Sequence, residues 1–345
     1  MDLLRYTPRW LQAVYPFLYR QLVGHLPSCW ALGYRLLDLA WLHPLYQPWR
    51  RCWNLLVARR FLAWVETVQP DLMVATHFFS ADVLAAIKRR GRCAARLIVV
   101  ITDLYPHRMW LVGEPDAIVV GSEGTRTLCQ HRGVPPDRLH VLGIPISARF
   151  SGRADREATA ARLGLDPTRR TLLVASGGMG VGPMGRMVDR LLRLPALRDQ
   201  PTQLLVVCGQ NASLVARLQR LSRGAPFPVH IFGFVDHMDE LMNVSDLFVT
   251  KPGGLTVMEA LAVGLPMVFY GAIPGQEQLN ADYVVHRGAA VEAKRLEEAL
   301  QMVPQLLNDP GRLKTMRAQA QALGTPMAAS RFVQEFIGSA PHGER

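Results

Sequence analysis

The chain of 345 residues is long enough for two domains that each bury a core. Its hydrophobic content of 49% and charged content of 19% exclude a largely disordered protein. The net charge of +11 permits an anionic membrane surface or a nucleic acid as partner, but no nucleic-acid-binding module is recognisable, so we expect no nucleic acid.

The five cysteines are scattered and lack CxxC spacing, which indicates reduced thiols and gives no disulfide framework or zinc site. No signal peptide is recognisable, and no segment reaches the roughly 18 uncharged apolar residues of a membrane span. We therefore expect a chain without a spanning helix.

The first 64 residues combine aromatic with basic side chains. Eight arginines stand against only two acidic residues there, Asp2 and Asp38. The segment holds six of the seven tryptophans: Trp10, Trp30, Trp41, Trp49, Trp53 and Trp64. Such a mixture is typical of segments at a membrane interface, although helices packed on a domain core could carry the same aromatics.

From residue 71 the pattern alternates between apolar runs and helical periods. In the first half we predict strands at 71–76, 97–102, 116–121 and 139–143, with helices at 81–90 and 123–132. In the second half we predict strands at 171–175, 203–208, 229–232, 246–250 and 266–270, with helices at 184–194, 212–222, 238–243 and 255–263. A charged helical tail is predicted at 292–322 and a last short helix at 332–337. Such alternation predicts two doubly wound α/β domains facing a cleft.

Three candidate catalytic residues lie at two predicted strand ends of the first half. Asp103 and His107 follow the strand at 97–102, and His77 follows the strand before it. A carboxylate or imidazole there could deprotonate an acceptor hydroxyl. A lone histidine, however, is more often structural.

A glycine-rich stretch follows the strand at 171–175 and opens a helix. We expect Gly177, Gly178, Met179 and Gly180 to contact phosphate through backbone N–H groups. The stretch is neither a Walker A motif nor a Rossmann fingerprint, and an ordinary turn is the alternative.

The strongest signal joins a strand end, a glycine pair and an acidic residue one turn into a helix. The residues concerned are Lys251, Gly253, Gly254, Leu255, Thr256 and Glu259. The helix start offers free N–H groups to a phosphate, and Glu259 could accept hydrogen bonds from a pair of sugar hydroxyls. The alternative is a capped turn with a solvated Glu259.

Two further groups of residues complete the expected site. Gln276, Glu277 and Asn280 provide amide and carboxylate groups that suit a polyol. Phe234 and the backbone of Val235, after the strand at 229–232, could hold a planar base, although a core aromatic is the alternative. Together with the glycine pair they suggest a nucleotide-sugar pocket.

These motifs resemble the donor half of diacylglycerol glycosyltransferases, the monogalactosyldiacylglycerol synthases and processive diacylglycerol glucosyltransferases. The resemblance rests on Lys251 to Leu261, on Gly264-Leu265-Pro266 and on Pro274 to Ala281. Thr102-Asp103-Leu104 with His107 and Trp110 belongs to the same pattern, and more distantly the chain is similar to the peptidoglycan N-acetylglucosaminyltransferase. The likeness covers about residues 65–325.

The resemblance implies a GT-B fold and an inverting, metal-independent transfer from a UDP-sugar, a substrate and not a cofactor, to a lipid hydroxyl. By position, Phe234 and Val235 would hold uracil and Glu259 the ribose. The glycine loop and the helix start at 254–256 would hold the diphosphate, while Gln276, Glu277 and Asn280 would read the sugar. The first segment would dock on an anionic membrane, which places the protein at the cytoplasmic face of the cell membrane.

One departure from the family pattern concerns the start of the chain. Family members begin with a strand and a Gly-rich loop whose histidine lies beside the acceptor, and neither is present here. Either these elements precede the present sequence in a longer protein, or the first domain lacks its first strand. In the second case we expect His77 or Asp103 to act as base. A catalytically inactive UDP-sugar- or membrane-binding accessory protein and a UDP-sugar epimerase of the same fold are the alternatives.

The expected organisation has four parts. Residues 1–64 form the membrane-interfacial helical segment and residues 65–150 the rest of the acceptor domain. Residues 151–325 form the donor domain, and residues 326–345 a C-terminal helix and tail.

Overall fold

A computed structural model describes residues 2–152, 155–175, 177–178 and 183–338. The chain forms two compact units. The first comprises Met1–Ile144 with Pro274–Gln276, and the second comprises Pro145–Ile273 with Glu277–Arg345. Each unit has its own parallel β-sheet.

The first unit begins with helices. They are α1 (Arg9–His25), α2 (Pro27–Leu37), α3 (His43–Val57) and α4 (Arg59–Val68). Pro27 and Pro44 stand in the first turns of α2 and α3, where a missing N–H costs no intrahelical bond. The described residues before the first strand contain no strand.

The sheet of the first unit has four parallel strands in sequential order: β1 (Leu72–Ala75), β2 (Arg96–Val100), β3 (Ala117–Val120) and β4 (Leu139–Val141). Helix α5 (Phe78–Arg89) follows β1 and helix α6 (Glu123–His131) follows β3. The four residues of β3 are all buried, as expected for a strand covered on both faces.

The sheet of the second unit has six parallel strands in the order β10-β9-β8-β5-β6-β7. They are β5 (Arg170–Ala175), β6 (Thr202–Val207), β7 (Val229–Phe232), β8 (Leu247–Thr250), β9 (Met267–Tyr270) and β10 (Ala290–Ala293). This is the strand order of a dinucleotide-binding sheet. The strands β6 and β7 are added on one side of β5, and the strands β8 to β10 are added on its other side.

Ten helices accompany these strands in the described part of the second unit. They are α7 (Arg156–Arg162), α8 (Met184–Leu192), α9 (Pro195–Arg198), α10 (Ala212–Ser222), α11 (Met238–Asn243), α12 (Gly254–Val263), α13 (Gln276–Val285), α14 (Leu296–Leu307), α15 (Pro310–Leu323) and α16 (Ala328–Phe336). The first residue of α13, Gln276, belongs to the first compact unit.

The predicted helical tail at 292–322 was wrong at its start. Residues 290–293 form strand β10, which pairs with β9 through the register Ala290↔Met267, and two helices follow it. A strand of four residues is too short to show a recognisable apolar pattern in the sequence. It forms because β9 provides backbone hydrogen-bond partners for it. Residues 339–345 of the predicted tail lie outside the described residues.

None of the described helices combines the length and apolar character that a membrane span requires. Among the described residues, no three His, Cys, Asp or Glu side chains are grouped so that they could hold a metal ion.

Candidate functional site

The second unit brings several of the expected donor-site loops to one edge of its sheet. Strands β5 and β8 are parallel neighbours, and the glycine loop and the Lys251–Glu259 motif follow their carboxyl ends. Because the strand order reverses between these two strands, their connections leave in opposite directions and open a crevice. A cavity at this edge is lined by Ala175, Thr250 and Lys251.

Helix α12 begins at the glycine pair. Gly253 is its N-cap, in extended conformation, and the first helical bond runs from the Val257 N–H to the Gly253 carbonyl. The N–H groups of Gly254, Leu255 and Thr256 therefore have no acceptor inside the helix. With the positive end of the helix dipole they form a seat for an anion.

Glu259 lies on α12 with its carboxyl group largely removed from water. Burial raises its pKa to about 7. None of the described residues gives this carboxylate a hydrogen bond or a cation. A partly buried carboxylate without a partner can accept hydrogen bonds from two adjacent hydroxyls of a bound sugar.

Lys251 and Glu277 form an ion pair beside the start of α12. The Lys251 Nζ lies 3.7 Å from the Glu277 Oε1, and the Ile273 N–H donates a 2.7 Å hydrogen bond to the Glu277 Oε2. Burial raises the pKa of Glu277, and the Lys251 charge acts against that shift. Glu277 thus holds the ammonium near the anion seat.

Two glycines of the loop after β5 are described, and they pack on the turn after β6. The Gly178 carbonyl accepts a 3.0 Å hydrogen bond from the Gln210 N–H. Gly209 has a φ of +58°, and a Cβ there would lie 2.3 Å from the Gly178 oxygen, so only glycine fits. Gly177 has a φ of +79°. Met179 and Gly180 lie outside the described residues.

Phe234 and Val235 follow β7. The Phe234 side chain is 68% exposed, so its ring is free to stack on a planar base. Val235 is half-buried, and the next residue, Asp236, accepts a 2.7 Å hydrogen bond from Arg149 through its carbonyl. Phe232, at the end of the strand, is half-buried.

The three residues expected to read the sugar have different surroundings. Asn280 is fully buried, and its Nδ2 reaches the Pro252 carbonyl at 3.4 Å, which ties α13 to the loop before α12. Glu277 pairs with Lys251, as described above. Gln276 lies in the first unit, where its amide donates to the Asp103 carboxylate.

Asp103 is the candidate base whose carboxylate is buried, at 4% exposure. Its Oδ2 accepts a 3.1 Å hydrogen bond from the Trp110 Nε1, and its Oδ1 accepts from the Gln276 Nε2. Burial raises its pKa, and the two hydrogen bonds act in the opposite direction. Each carboxylate oxygen keeps a second lone pair that could take a proton.

Gly275 lets the segment 274–276 pack against helix α2 within the first unit. Its φ is +101°, a backbone conformation that residues with a side chain rarely adopt. A Cβ there would also lie only 3.0 Å from the Tyr34 ring. The close approach places the neighbouring Gln276 within reach of Asp103.

Both ring nitrogens of His107 are engaged. The Nδ1 accepts from the Met109 N–H at 3.1 Å, and the Nε2 lies 2.9 Å from the Tyr34 carbonyl, to which it donates. The ring is 1% exposed, and burial lowers its pKa. His107 holds α2 to the loop after β2, and its nitrogens would have to give up these bonds to act as a base.

His77 caps helix α5. Its Nδ1 accepts a 3.2 Å hydrogen bond from the Phe79 N–H, which leaves the proton of a neutral ring on Nε2. One side of the ring reaches solvent, while Phe78 and Trp110 remove water from the other side and lower its pKa.

Sequence reasoning missed the role of Asp38. Its carboxylate accepts hydrogen bonds from the Tyr105 hydroxyl at 2.9 Å, the Arg108 N–H at 2.8 Å and the Arg132 guanidinium at 2.8 and 2.9 Å. These bonds hold the loop that carries Asp103. One indication in the sequence that Asp38 has a structural role is that it is one of only two acidic residues among the first 64.

The first unit exposes a broad aromatic and apolar face. Of the 22 large hydrophobic side chains that are exposed in the described residues, 15 lie between Trp10 and Leu56. On α3 these are Leu45, Trp49, Trp53 and Leu56, which follow helical spacing. Trp10 of α1 packs edge-on against Trp53, with ring centroids 6.2 Å apart, and thus joins the two helices into one surface. We call residues 10–56 with these side chains the exposed aromatic face.

Comparison with known proteins identifies the family. The monogalactosyldiacylglycerol (MGDG) synthase family matches residues 1–146, and the glycosyl transferases group 1 family matches residues 186–323. Processive diacylglycerol beta-glucosyltransferases of Bacillus licheniformis and Bacillus subtilis are each 31% identical to the chain, over 273 and 274 residues. Each alignment covers 79% of the chain and 70% of the relative. The chain belongs to the diacylglycerol glycosyltransferase family.

Solved structures confirm the GT-B fold of this family member. MurG of Acinetobacter baumannii superimposes with a TM-score of 0.59 at 16% identity, covering 82% of the chain and 77% of MurG. A UDP-GlcNAc 2-epimerase of Neisseria meningitidis bound to UDP-GlcNAc gives a TM-score of 0.61 at 14% identity, covering 81% and 79%. The chain is thus a GT-B glycosyltransferase of the kind that acts in glycolipid synthesis.

Proposed function

We propose that the chain transfers a hexose from a UDP-sugar to the hydroxyl of a diacylglycerol-type lipid, with inversion at the anomeric carbon. The observation that carries the donor assignment is the unpartnered Glu259 carboxylate one turn behind the free N–H groups of α12. A nucleoside diphosphate sugar offers what both groups need, a ribose diol and a diphosphate. The acceptor is inferred from the family, whose named relatives act on diacylglycerol.

In the proposed reaction, the residues that bind the UDP-sugar stabilise the leaving group without a metal ion. As the glycosidic bond breaks, negative charge develops on the UDP, and donors aimed at that charge lower the barrier. The N–H groups of residues 254–256 and the Lys251 ammonium supply this stabilisation. Phe234 would hold the uracil by stacking, and Gly177 and Gly178 would contact the diphosphate.

Asp103 is the base that the geometry favours. An inverting transfer needs one group that takes the proton of the acceptor hydroxyl as the oxygen attacks. The neutral His77 presents a protonated Nε2, and both nitrogens of His107 are occupied. Asp103 keeps free lone pairs, and its raised pKa makes it a stronger base than an exposed carboxylate.

The membrane assignment rests on the exposed aromatic face. We propose that it lies in the interface of the cytoplasmic face of the cell membrane, so that the enzyme meets its lipid substrate without crossing the bilayer. Tryptophans with an apolar body and a polar tip favour that depth, and the arginines of residues 1–64 favour an anionic surface.

The decisive experiment is transfer by the purified full chain. It would be incubated with diacylglycerol in mixed micelles and with UDP-glucose, UDP-galactose or UDP-N-acetylglucosamine, beside a Glu259→Ala control. We expect a glycolipid with β-configured sugar from one donor, detected by mass spectrometry and NMR. Donor binding without turnover would favour the accessory protein, and an epimerised sugar formed without lipid would favour the epimerase.

A further inference from the structure

The loop that follows β7, residues 233–237, extends from the edge of its sheet. Strand β7 is the last strand on that side and pairs with β6, and its four residues are only half-buried. The loop carries Phe234, whose exposed ring is available to a planar base. A loop with few buried apolar contacts opens easily, so its position depends on hydrogen bonds from other parts of the fold.

A hydrogen bond of this kind comes from Arg149. Its Nη1 donates to the Asp236 carbonyl at 2.7 Å, two residues after Phe234 and 87 residues away along the chain. A charged guanidinium makes a stronger hydrogen bond to a carbonyl than a neutral amide does. Because the acceptor is a backbone oxygen in a planar peptide group, the bond restrains the loop itself and not only a side chain.

Arg149 belongs to a short turn that lies against helix α12. The turn is a single turn of 3-10 helix, Ala148–Ser151, closed by a 2.6 Å hydrogen bond from the Ser151 hydroxyl to the Ala148 carbonyl. Its Phe150 side chain is buried, and the turn is a direct neighbour of α12. The turn therefore contacts the helix that carries Glu259 and the anion seat, and through Arg149 it also holds the loop at 233–237.

We propose that Arg149 is a positioning residue for the donor nucleotide. It fixes the loop at 233–237 relative to α12, so that Phe234 stacks on the base while Glu259 and the anion seat hold the ribose and the diphosphate. The inference rests on the proposed UDP-sugar donor and deepens it, because it names a residue that sets where the base binds without touching the donor. A preset separation between the two parts of the site lowers the entropic cost of binding a ligand that spans both.

The test compares a ligand that carries the base with one that lacks it. The full chain and its Arg149→Ala variant would be titrated with UDP and with ribose 5-diphosphate by isothermal titration calorimetry. Loss of the hydrogen bond should weaken UDP binding about threefold to tenfold and leave ribose 5-diphosphate binding unchanged, because that ligand does not reach the loop. Arg149→Lys can still donate to the Asp236 carbonyl and should keep most of the affinity.

Two further measurements separate positioning from a general loss of stability. Phe234→Ala removes the stacking ring, so the addition of Arg149→Ala to it should weaken UDP binding little further. In the ligand-free chain, Arg149→Ala should accelerate amide hydrogen exchange at 233–237 and leave exchange in α12 unchanged. Arg198→Ala removes the same charge from an exposed position on α9 and should alter neither UDP binding nor exchange.

Equal weakening of UDP and ribose 5-diphosphate would overturn the inference, because Arg149 would then support the diphosphate or the whole site. Unchanged UDP binding in Arg149→Ala, or a fully additive loss in the variant that also carries Phe234→Ala, would overturn it as well. In each of these cases, UDP binding by the original chain would still support the proposed donor. A chain that binds no UDP at all would overturn both the donor assignment and this inference.

Discussion

The Asn54 amide donates a 2.8 Å hydrogen bond to the Asp82 carboxylate, which joins the inner face of α3 to α5. Asp82 is 2% exposed in the middle of α5, and Arg50 and Arg51 pair with it at 3.4 and 3.7 Å. Helix α3 thus turns its polar side inward, while Trp49, 83% exposed, faces outward. This arrangement is the reverse of an ordinary surface helix.

Asn54→Ala should loosen α3 from α5. The change removes a hydrogen bond to a buried charged group, which is worth about 1–3 kcal/mol. We expect amide hydrogen exchange in α3 to accelerate about 5- to 150-fold, the equivalent of that free energy, with β5 and β6 unaffected. Gln47→Ala, on the same helix, is the control. Equal acceleration in both variants would show that the Asn54–Asp82 bond does not hold α3.

Trp49→Ala should weaken binding to vesicles. Burying an aromatic side chain of this size contributes about 1.5–3 kcal/mol, so the affinity for vesicles should fall about tenfold or more. Co-sedimentation with vesicles that contain a fixed fraction of anionic lipid would measure this affinity. Val333→Ala, at an exposed apolar position on α16 in the second unit, should leave binding unchanged. If both variants bind like the original chain, the aromatic face does not contact the membrane.

Glu259 should make donor binding depend on pH. Its pKa is raised to about 7 by burial, and hydrogen bonds from the ribose diol favour the ionised form, so binding lowers this pKa and releases a proton. The affinity for UDP-glucose should therefore rise about tenfold from pH 6 to pH 8 and level off above the pKa. Isothermal titration calorimetry in buffers of different ionisation enthalpy would measure both the affinity and the proton.

Glu259→Gln is the control for that dependence. It keeps the size of the side chain and cannot ionise, so the affinity of the variant should be lower and constant between pH 6 and pH 8. A pH dependence that survives in Glu259→Gln would mean that another group titrates on binding.

Asp103→Asn should stop transfer and spare donor binding. Loss of a general base costs about 10²- to 10⁴-fold in kcat, whereas the Kd for UDP-glucose should change little. In the unchanged enzyme the acid limb of kcat against pH should lie above the usual carboxyl range, because burial raises the pKa of Asp103 and only the ionised form is a base.

His77→Asn tests the alternative base. Asparagine can still cap α5 but carries no imidazole, so kcat should stay within about tenfold of the unchanged enzyme. A loss in His77→Asn as large as that expected for Asp103→Asn, with Asp103→Asn active, would assign the base to His77.

Much of the second unit could be read from the sequence because its elements carry local patterns. Strand 229–232 and helices 212–222 and 238–243 have the predicted bounds. Helix α13 and strand β10 were missed. Helix α13 has no marked apolar side, and β10 forms through its pairing with β9, a partner more than twenty residues away.

The candidate site also contains some residues that local sequence patterns predict and others whose surroundings depend on distant parts of the chain. The glycine pair, Glu259 and Lys251 could be predicted because a strand end, a turn and a helix start are local features. The surroundings of His107 and Asn280 could not. Their partners, Tyr34 and Pro252, lie 73 and 28 residues away, and only folding brings these polar atoms within hydrogen-bond distance.

The sequence by itself determined the family, the alternation that builds two parallel sheets, and the concentration of tryptophan and arginine in the first 64 residues. It left open whether those tryptophans lie in a core or at the surface, because aromatic side chains suit both. The tertiary structure decided this for α3. Burying the Asp82 charge requires Asn54 and Arg50 as partners, so these residues occupy the inner face, and Trp49 and Trp53 are left on the outer one.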